Sequence, residues 1–191
     1  MNAGHGIYRY TNLDDNNIYF NENIQRLIQN YRSSFLQLGL QNLYSADPDG
    51  NDKTLNLLKM MDDYFPPEVI TTTDAELDIQ IGRIYKQAGK PEEFKNRLDQ
   101  IQKRKDLTLE VKILIGQIYM NELQSMDEGI KYQEDLYNEY PYIPEILYTL
   151  VQAYAQADRQ DDARETLELW LRSHPSDSQA IDWLSILSLQ N

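Results

Sequence analysis

Residues 81–85 read IGRIY, and residues 115–119 read IGQIY. Gly82 and Gly116 stand 34 residues apart, as do Tyr85 and Tyr119, and so do Pro141 and Pro175. A Gly inside a helix costs about 1 kcal/mol relative to Ala, so its reuse at a fixed interval needs a packing reason. Tyr119 to Tyr154 is 35 residues, a step that one extra residue between those repeats accounts for. A period of this length with apolar residues at helical spacing marks stacked two-helix units.

The helical pattern continues on both sides of this stretch. Residues 1–20 carry no sustained period and read as an irregular arm. Residues 21–70 form a divergent helical pair: apolar residues at Ile24, Leu27, Ile28, Tyr31, Phe35 and Leu38 make one helical stripe. Residues 45–52, SADPDGND, then form a turn in which Gly50 permits φ > 0, and a second helix, TLNLLKMMDDYF, stops at Pro66 and Pro67. Residues 71–191 hold the repeats. Thr73 with Glu76, and Ser125 with Glu128, have capping-box spacing. Gly89 suits a C-terminal cap and Pro91 a helix start. The helix from residue 109 runs through LEVKILIGQIYMNEL, and SQAIDWLSILSL closes the chain. No segment alternates as a strand would.

The chain has 191 residues, a net charge of −13 and no cysteine. The acidic excess argues against nucleic acid and anionic membrane surfaces, which select clustered Lys and Arg. Without cysteine there is no disulfide, thiolate metal site or thiol catalysis. No apolar run approaches the roughly 18 residues of a membrane span, so no direct membrane insertion is expected and the chain reads as soluble. Its partner is expected to be a protein or peptide segment. The residues do not decide the compartment.

The repeated residues resemble the tetratricopeptide repeat. Ile81, Gly82 and Tyr85, and again Ile115, Gly116 and Tyr119, occupy the family's Leu-Gly-x-x-Tyr slots. Leu147, Leu150 and Tyr154 match the third unit. Phe94 and Leu98, Gly129, and Ala163 with Leu167 lie on the second helices, and Pro141 and Pro175 end units. Asp78 and Lys112 stand where an aromatic is usual, Val151 replaces Gly, and Trp170 replaces a small residue. The resemblance implies an all-α fold: a right-handed α-solenoid of antiparallel helix pairs. It would comprise about three repeats, the divergent N-terminal pair and a C-terminal capping helix. It also implies that Gly on a first helix lets its neighbour approach, with small Gly129 or Ala163 opposite.

The same resemblance implies a concave groove lined by the first helices. The inner positions would be Ile79, Arg83 and Lys86, then Ile113, Gln117 and Met120, then Tyr148, Gln152 and Ala155. The carboxylate clamp of the family's chaperone-binding members is absent at these places. An apolar, amide-rich groove suits an extended or helical segment, and Arg83 and Gln117 are expected to contribute to its affinity. A second resemblance, carried by residues 12–39 and 57–70, is to the soluble tail of bacterial multi-spanning membrane proteins related to protein O-mannosyltransferases. It implies an accessory domain tethered to a membrane-spanning region, on the periplasmic face; otherwise a cytoplasmic protein is expected.

Other site chemistries are weaker. His5 and His174 have no neighbouring nucleophile pattern, and no catalytic residue is assigned. DPDGND places Gly50 fourth and Leu58 twelfth, whereas a calcium loop needs Gly sixth and Glu twelfth, so it reads as a turn with no metal. No cofactor is expected. KNRLDQIQKRK, residues 95–105, reads as a solvated outer face, the alternative being contact with a phosphate or an acidic partner. The expected function is a non-catalytic interaction scaffold. Two other classes stay open: a helical enzyme using carboxylates, which would need acids from several helices converging in a deep pocket, and a self-associating structural domain.

Overall fold

The computed structural model describes residues 13–188 except 14, 16, 17, 68 and 71–73. Among the described residues every regular element is helical, and within each of the chain's two units consecutive helices pack as hairpins in the manner of a tetratricopeptide-like α-solenoid. The chain forms two compact units, Met1–Arg104 and Lys105–Asn191. His5 and Thr73 lie outside the described residues, as does most of the expected arm. Within that arm Phe20 is described, and it is buried in the core of its unit.

The first unit holds α1 (Glu22–Leu43), α2 (Gly50–Tyr64), α3 (Ala75–Gln87) and α4 (Pro91–Ile101). The Asn21 side chain starts α1 by accepting from the Ile24 N–H at 3.0 Å. The α1–α2 turn differs from expectation. Gly50 already belongs to α2, and its φ is not positive. Its lack of a side chain serves close approach instead, because a Cβ there would lie 2.4 Å from the Asn42 carbonyl oxygen. Asp74 caps α3, accepting from the N–H groups of Glu76 and Leu77 at 2.9 and 3.3 Å. Gly89 does end α3 with φ of +91°, while Lys90 N–H closes back on the Tyr85 carbonyl at 2.9 Å. Pro91 opens α4.

A buried cation holds the divergent pair in place. Arg32 on α1 donates to the carbonyls of Phe65 and Ile70, both at 2.8 Å, so the chain leaving α2 is bonded back to α1. The polar residues in the usual aromatic slot likewise find partners. Asp78 forms an ion pair with Arg104 at 3.6 Å in this unit. In the second unit Lys112 pairs with Glu139 at 2.9 Å and stands over the Tyr140 ring.

The second unit holds α5 (Leu109–Gln117), a π-helical turn (Ile118–Glu122), α6 (Met126–Glu139), α7 (Pro144–Gln156), α8 (Gln160–Ser173) and α9 (Ser178–Ser188). The π turn departs from expectation. Its cause is in the numbering: Tyr119 keeps the 34-residue step from Tyr85, whereas Leu98 to Gln133 is 35. The extra residue therefore lies inside the second repeat, not between repeats. The wide turn absorbs it, with Leu123 N–H reaching the Ile118 carbonyl at 3.0 Å. Gln124 then reverses the chain with φ of +54°. Ser125 sits at the α6 N-cap but makes no side-chain cap bond, so the second capping box does not form.

The repeat tyrosines are alike in burial, while the repeat glycines meet different neighbours. Tyr85, Tyr119 and Tyr154 are all buried. A Cβ on Gly82 would meet the Phe94 ring at 2.2 Å, and one on Gly116 would meet the Gln133 amide at 2.1 Å. Gly129 faces Gly116 as expected: its added Cβ would lie 3.3 Å from the Gly116 carbonyl oxygen. Gln133 stands in the slot that Leu98 and Leu167 fill elsewhere and is 0% exposed. Its amide nitrogen donates to the Ile113 carbonyl at 3.2 Å, while its own buried carbonyl oxygen has no protein partner.

Candidate functional site: the hollow between α7 and α9

The expected groove residues separate into three groups. Ile79 is 1% exposed and Met120 is 6% exposed, so neither offers its side chain to a ligand. Ile79 is a core residue of α3, and Asp78 beside it pairs with Arg104. Met120 is drawn in by the π turn, since one extra residue rotates the downstream positions by about 100° around a helix axis. Its side chain fills the space left by Gly129. Arg83 and Lys86 on α3, and Ile113 and Gln117 on α5, are half-buried.

Tyr148, Gln152 and Ala155 come together on α7. Gln152 and Ala155 are exposed and line a hollow of about 340 Å³ with Val151, and with Trp183, Ile186 and Leu187 from α9. Alternation of the two helix faces produces this wall: Leu147, Leu150 and Tyr154 pack inward, leaving Gln152 and Ala155 on the opposite side. Tyr148 is held at the edge. Its ring lies 5.2 Å from that of Trp183, and its hydroxyl donates to Asp177 at 2.7 Å. Burial first, and the Asp177 carboxylate second, push the Tyr148 pKa up to about 12.

Asp177 organises the junction of α8 and α9. Besides Tyr148, it accepts from Trp170 Nε1 at 2.8 Å and from the Ala180 N–H at 3.1 Å, the last being an N-terminal cap for α9. The Tyr148 hydrogen bond, joined by the one from Trp170, holds its carboxyl below the usual range. The Trp170 ring also stacks on His174 at 3.8 Å, which accounts for a large residue in a small slot. Sequence reasoning missed Asp177 and Trp183. The Asp three residues before Ala180, at the head of the last apolar run, was the available signal.

A second hollow of about 340 Å³ lies beside α6 and α8, with Glu134, Asp162 and Glu165 in its wall. This is where acidic residues from two helices converge. Glu134 accepts from the Tyr154 hydroxyl at 2.8 Å and from Arg159 at 3.3 Å, and Asp162 accepts from Arg159 Nε at 2.6 Å. The arrangement repeats one in the first unit. There Asp62 accepts from the Tyr85 hydroxyl at 2.8 Å and from Arg97, whose guanidinium lies 5.2 Å from the Tyr85 ring centre. In both, burial and then a carboxylate raise the tyrosine pKa. A carboxylate from the preceding helix, the repeat tyrosine and an arginine over its ring thus form a recurring joint.

Among the described residues no cluster of His, Cys, Asp or Glu could hold a metal ion, and no helix is long and apolar enough to cross a membrane. The DPDGND segment is a turn at Asp47–Asp49 that runs into the first residues of α2: Asp47 accepts from the Asp49 N–H at 2.9 Å and pairs with Lys53.

No protein-family model matches the chain, and no curated protein matches it. Among solved structures, one crystal form of MamA AMB-1 superposes with a TM-score of 0.49 at 15% identity, over 89% of this chain and 84% of the other. A MamA point mutant superposes at 0.47 and 15% identity, over 89% and 90% of the two chains. A second crystal form of MamA AMB-1 gives 0.45 and 16%, over 86% and 89%.

Proposed function

We propose that this chain is a non-catalytic protein-interaction domain that holds a peptide segment in the hollow between α7 and α9. The observation that carries the reading is the coincidence of two independent lines. Gln152 and Ala155 are inner-face positions by repeat register, and both line an open, mostly apolar hollow with Trp183 and Ile186. An aromatic anchor, aliphatic walls and one exposed amide suit a segment that inserts an apolar side chain while bonding its backbone to Gln152. The acids beside α8 bond to Tyr154 and Arg159, which gives them a structural use.

The test is selection of peptides from a displayed library on the purified chain, followed by direct affinity measurement. Ala155→Arg, at an exposed helix position, should weaken a selected peptide about tenfold or more by filling the hollow, with the circular dichroism spectrum unchanged. Equal affinity for the variant would remove the assignment. Two finer readings rest on narrower support. Tethering to a membrane-spanning region rests on the resemblance of residues 12–39 and 57–70, and sequencing of the natural reading frame around this segment tests it. Self-association rests on Ile181 and Ile186, exposed on α9, and sedimentation over a concentration series tests it.

A further inference from the structure

Within the basic run of residues 95–105, Arg97 and Arg104 are turned inward: they pair with Asp62 and Asp78, and their side chains are only 11% and 12% exposed. The surface of the first unit that stands apart from the rest of the chain is on α1. Residues 23–46 hold no Asp or Glu, the longest such run in a sequence with 31 acidic residues. The charged side chains of α1 are Glu22 at its first position, the exposed Arg26, and Arg32, which is buried against the Phe65 and Ile70 carbonyls. The exposed side of α8, by contrast, carries Asp161, Glu165, Glu168 and Arg172. The first hairpin of a repeat stack is expected to offer solvent a polar outer face. On α1 apolar groups stand there instead: Leu27 is 52% exposed and Leu38 46%, and Ile24 is exposed one turn before Leu27. Asn30, Ser34 and Gln37, all exposed and uncharged, fill the intervening positions.

We propose that this face of α1 docks on the same face of a second copy of the chain, the two helices running antiparallel about a two-fold axis. Leu27 and Leu38 are eleven residues apart, about three turns, so they point the same way about 16 Å from each other along the helix. Antiparallel pairing centred between them sets Leu27 against Leu38 of the second copy and, by the same symmetry, Leu38 against its Leu27. That register also places the small Ser34 opposite the half-buried Tyr31 of the other copy. Charge selects the occupant. Two chains of net charge −13 repel wherever acidic faces meet. Across α1 no acidic side chain opposes another, because Glu22 lies at one end of the helix and antiparallel packing carries it away from its counterpart. The opposed helix dipoles favour the same orientation. A helix face about 33 Å long and about 10 Å wide belongs to the small, transient class of interfaces, below about 1,200 Å² in total, which makes the dimer reversible. This surface is separate from Ile181 and Ile186 on α9, and the proposal does not depend on the peptide reading of α7 and α9.

Sedimentation equilibrium of the full chain, over concentrations from about 1 μM to about 1 mM, should show a monomer–dimer equilibrium that stops at two copies, since a two-fold contact closes on itself. Leu27→Glu and Leu38→Lys, each at an exposed position and each checked by circular dichroism, should singly weaken dimerisation about tenfold or more. The double variant sets the two introduced charges, of opposite sign, against each other across the axis. It should recover most of the association, a result that loss of folding could not produce. Ile186→Glu on α9 should leave the equilibrium unchanged. A monomer at every concentration, growth past two copies, or full dimerisation in both single variants would each overturn the proposal. So would a double variant that stays as weak as the single ones, or loss of the dimer in Ile186→Glu.

Discussion

Gly82 shows what a single missing methyl group does in this chain. Helix propensity favours Ala there by about 1 kcal/mol, yet the Phe94 ring, itself fully buried, fills the space a Cβ would take. Overpacking a closed site costs about 1–3 kcal/mol, so Gly82→Ala should lower the denaturant midpoint instead of raising it. Chemical denaturation of the pair checks this, and a more stable variant would mean that Phe94 can move aside freely. The sequence showed that Gly82 and Gly116 serve packing, because a costly residue recurred at one interval. It did not show what fills each gap. Phe94 and Gln133 differ in size and chemistry, and only the approach of the helices reveals them.

At the scale of elements, α9 depends on one carboxylate. Asp177 caps its first turn while accepting from Tyr148 and Trp170, so Asp177→Ala should cost about 1–3 kcal/mol through a lost cap and two orphaned donors. The sign with pH comes from its lowered pKa. Its contribution is fully present above the unfolded value of about 3.9 and is lost as pH falls through the lower folded value. Acid unfolding of the two proteins, monitored by circular dichroism, should show their stabilities converging below about pH 4. A constant gap down to the acid limit would mean that the carboxylate charge plays no part. The π turn belongs to this scale as well. The numbering recorded an extra residue, but a loop could have taken it as readily as a helix. The burial of Tyr119 and Met120 decides the matter, since a widened turn keeps both in the core.

Across the whole molecule, charge opposes compactness. With a net charge of −13 the chain repels itself, and salt shortens the range of that repulsion to about 10 Å near 0.1 M. Raising sodium chloride from about 0.02 M to about 0.5 M should therefore raise the thermal midpoint. A falling midpoint would show that ion pairs such as Asp78–Arg104 and Lys112–Glu139 outweigh the general repulsion. These pairs stand where the repeat normally places an aromatic, so part of the packing between helices has been exchanged for charge pairing.

Period and polarity along the chain were enough to establish helix hairpins, their order, and the burial of Tyr85, Tyr119 and Tyr154. These features arise from 3.6 residues per turn and the need to bury apolar faces, which any stretch of sequence already expresses. Tertiary packing, by contrast, made Ile79 and Met120 core residues, turned Arg97 and Arg104 inward, and set Asp177 and Trp183 around the α7 hollow. Each of those outcomes depends on a partner far away along the chain, and local periodicity carries no information about which distant side chain will fill a gap or neutralise a charge.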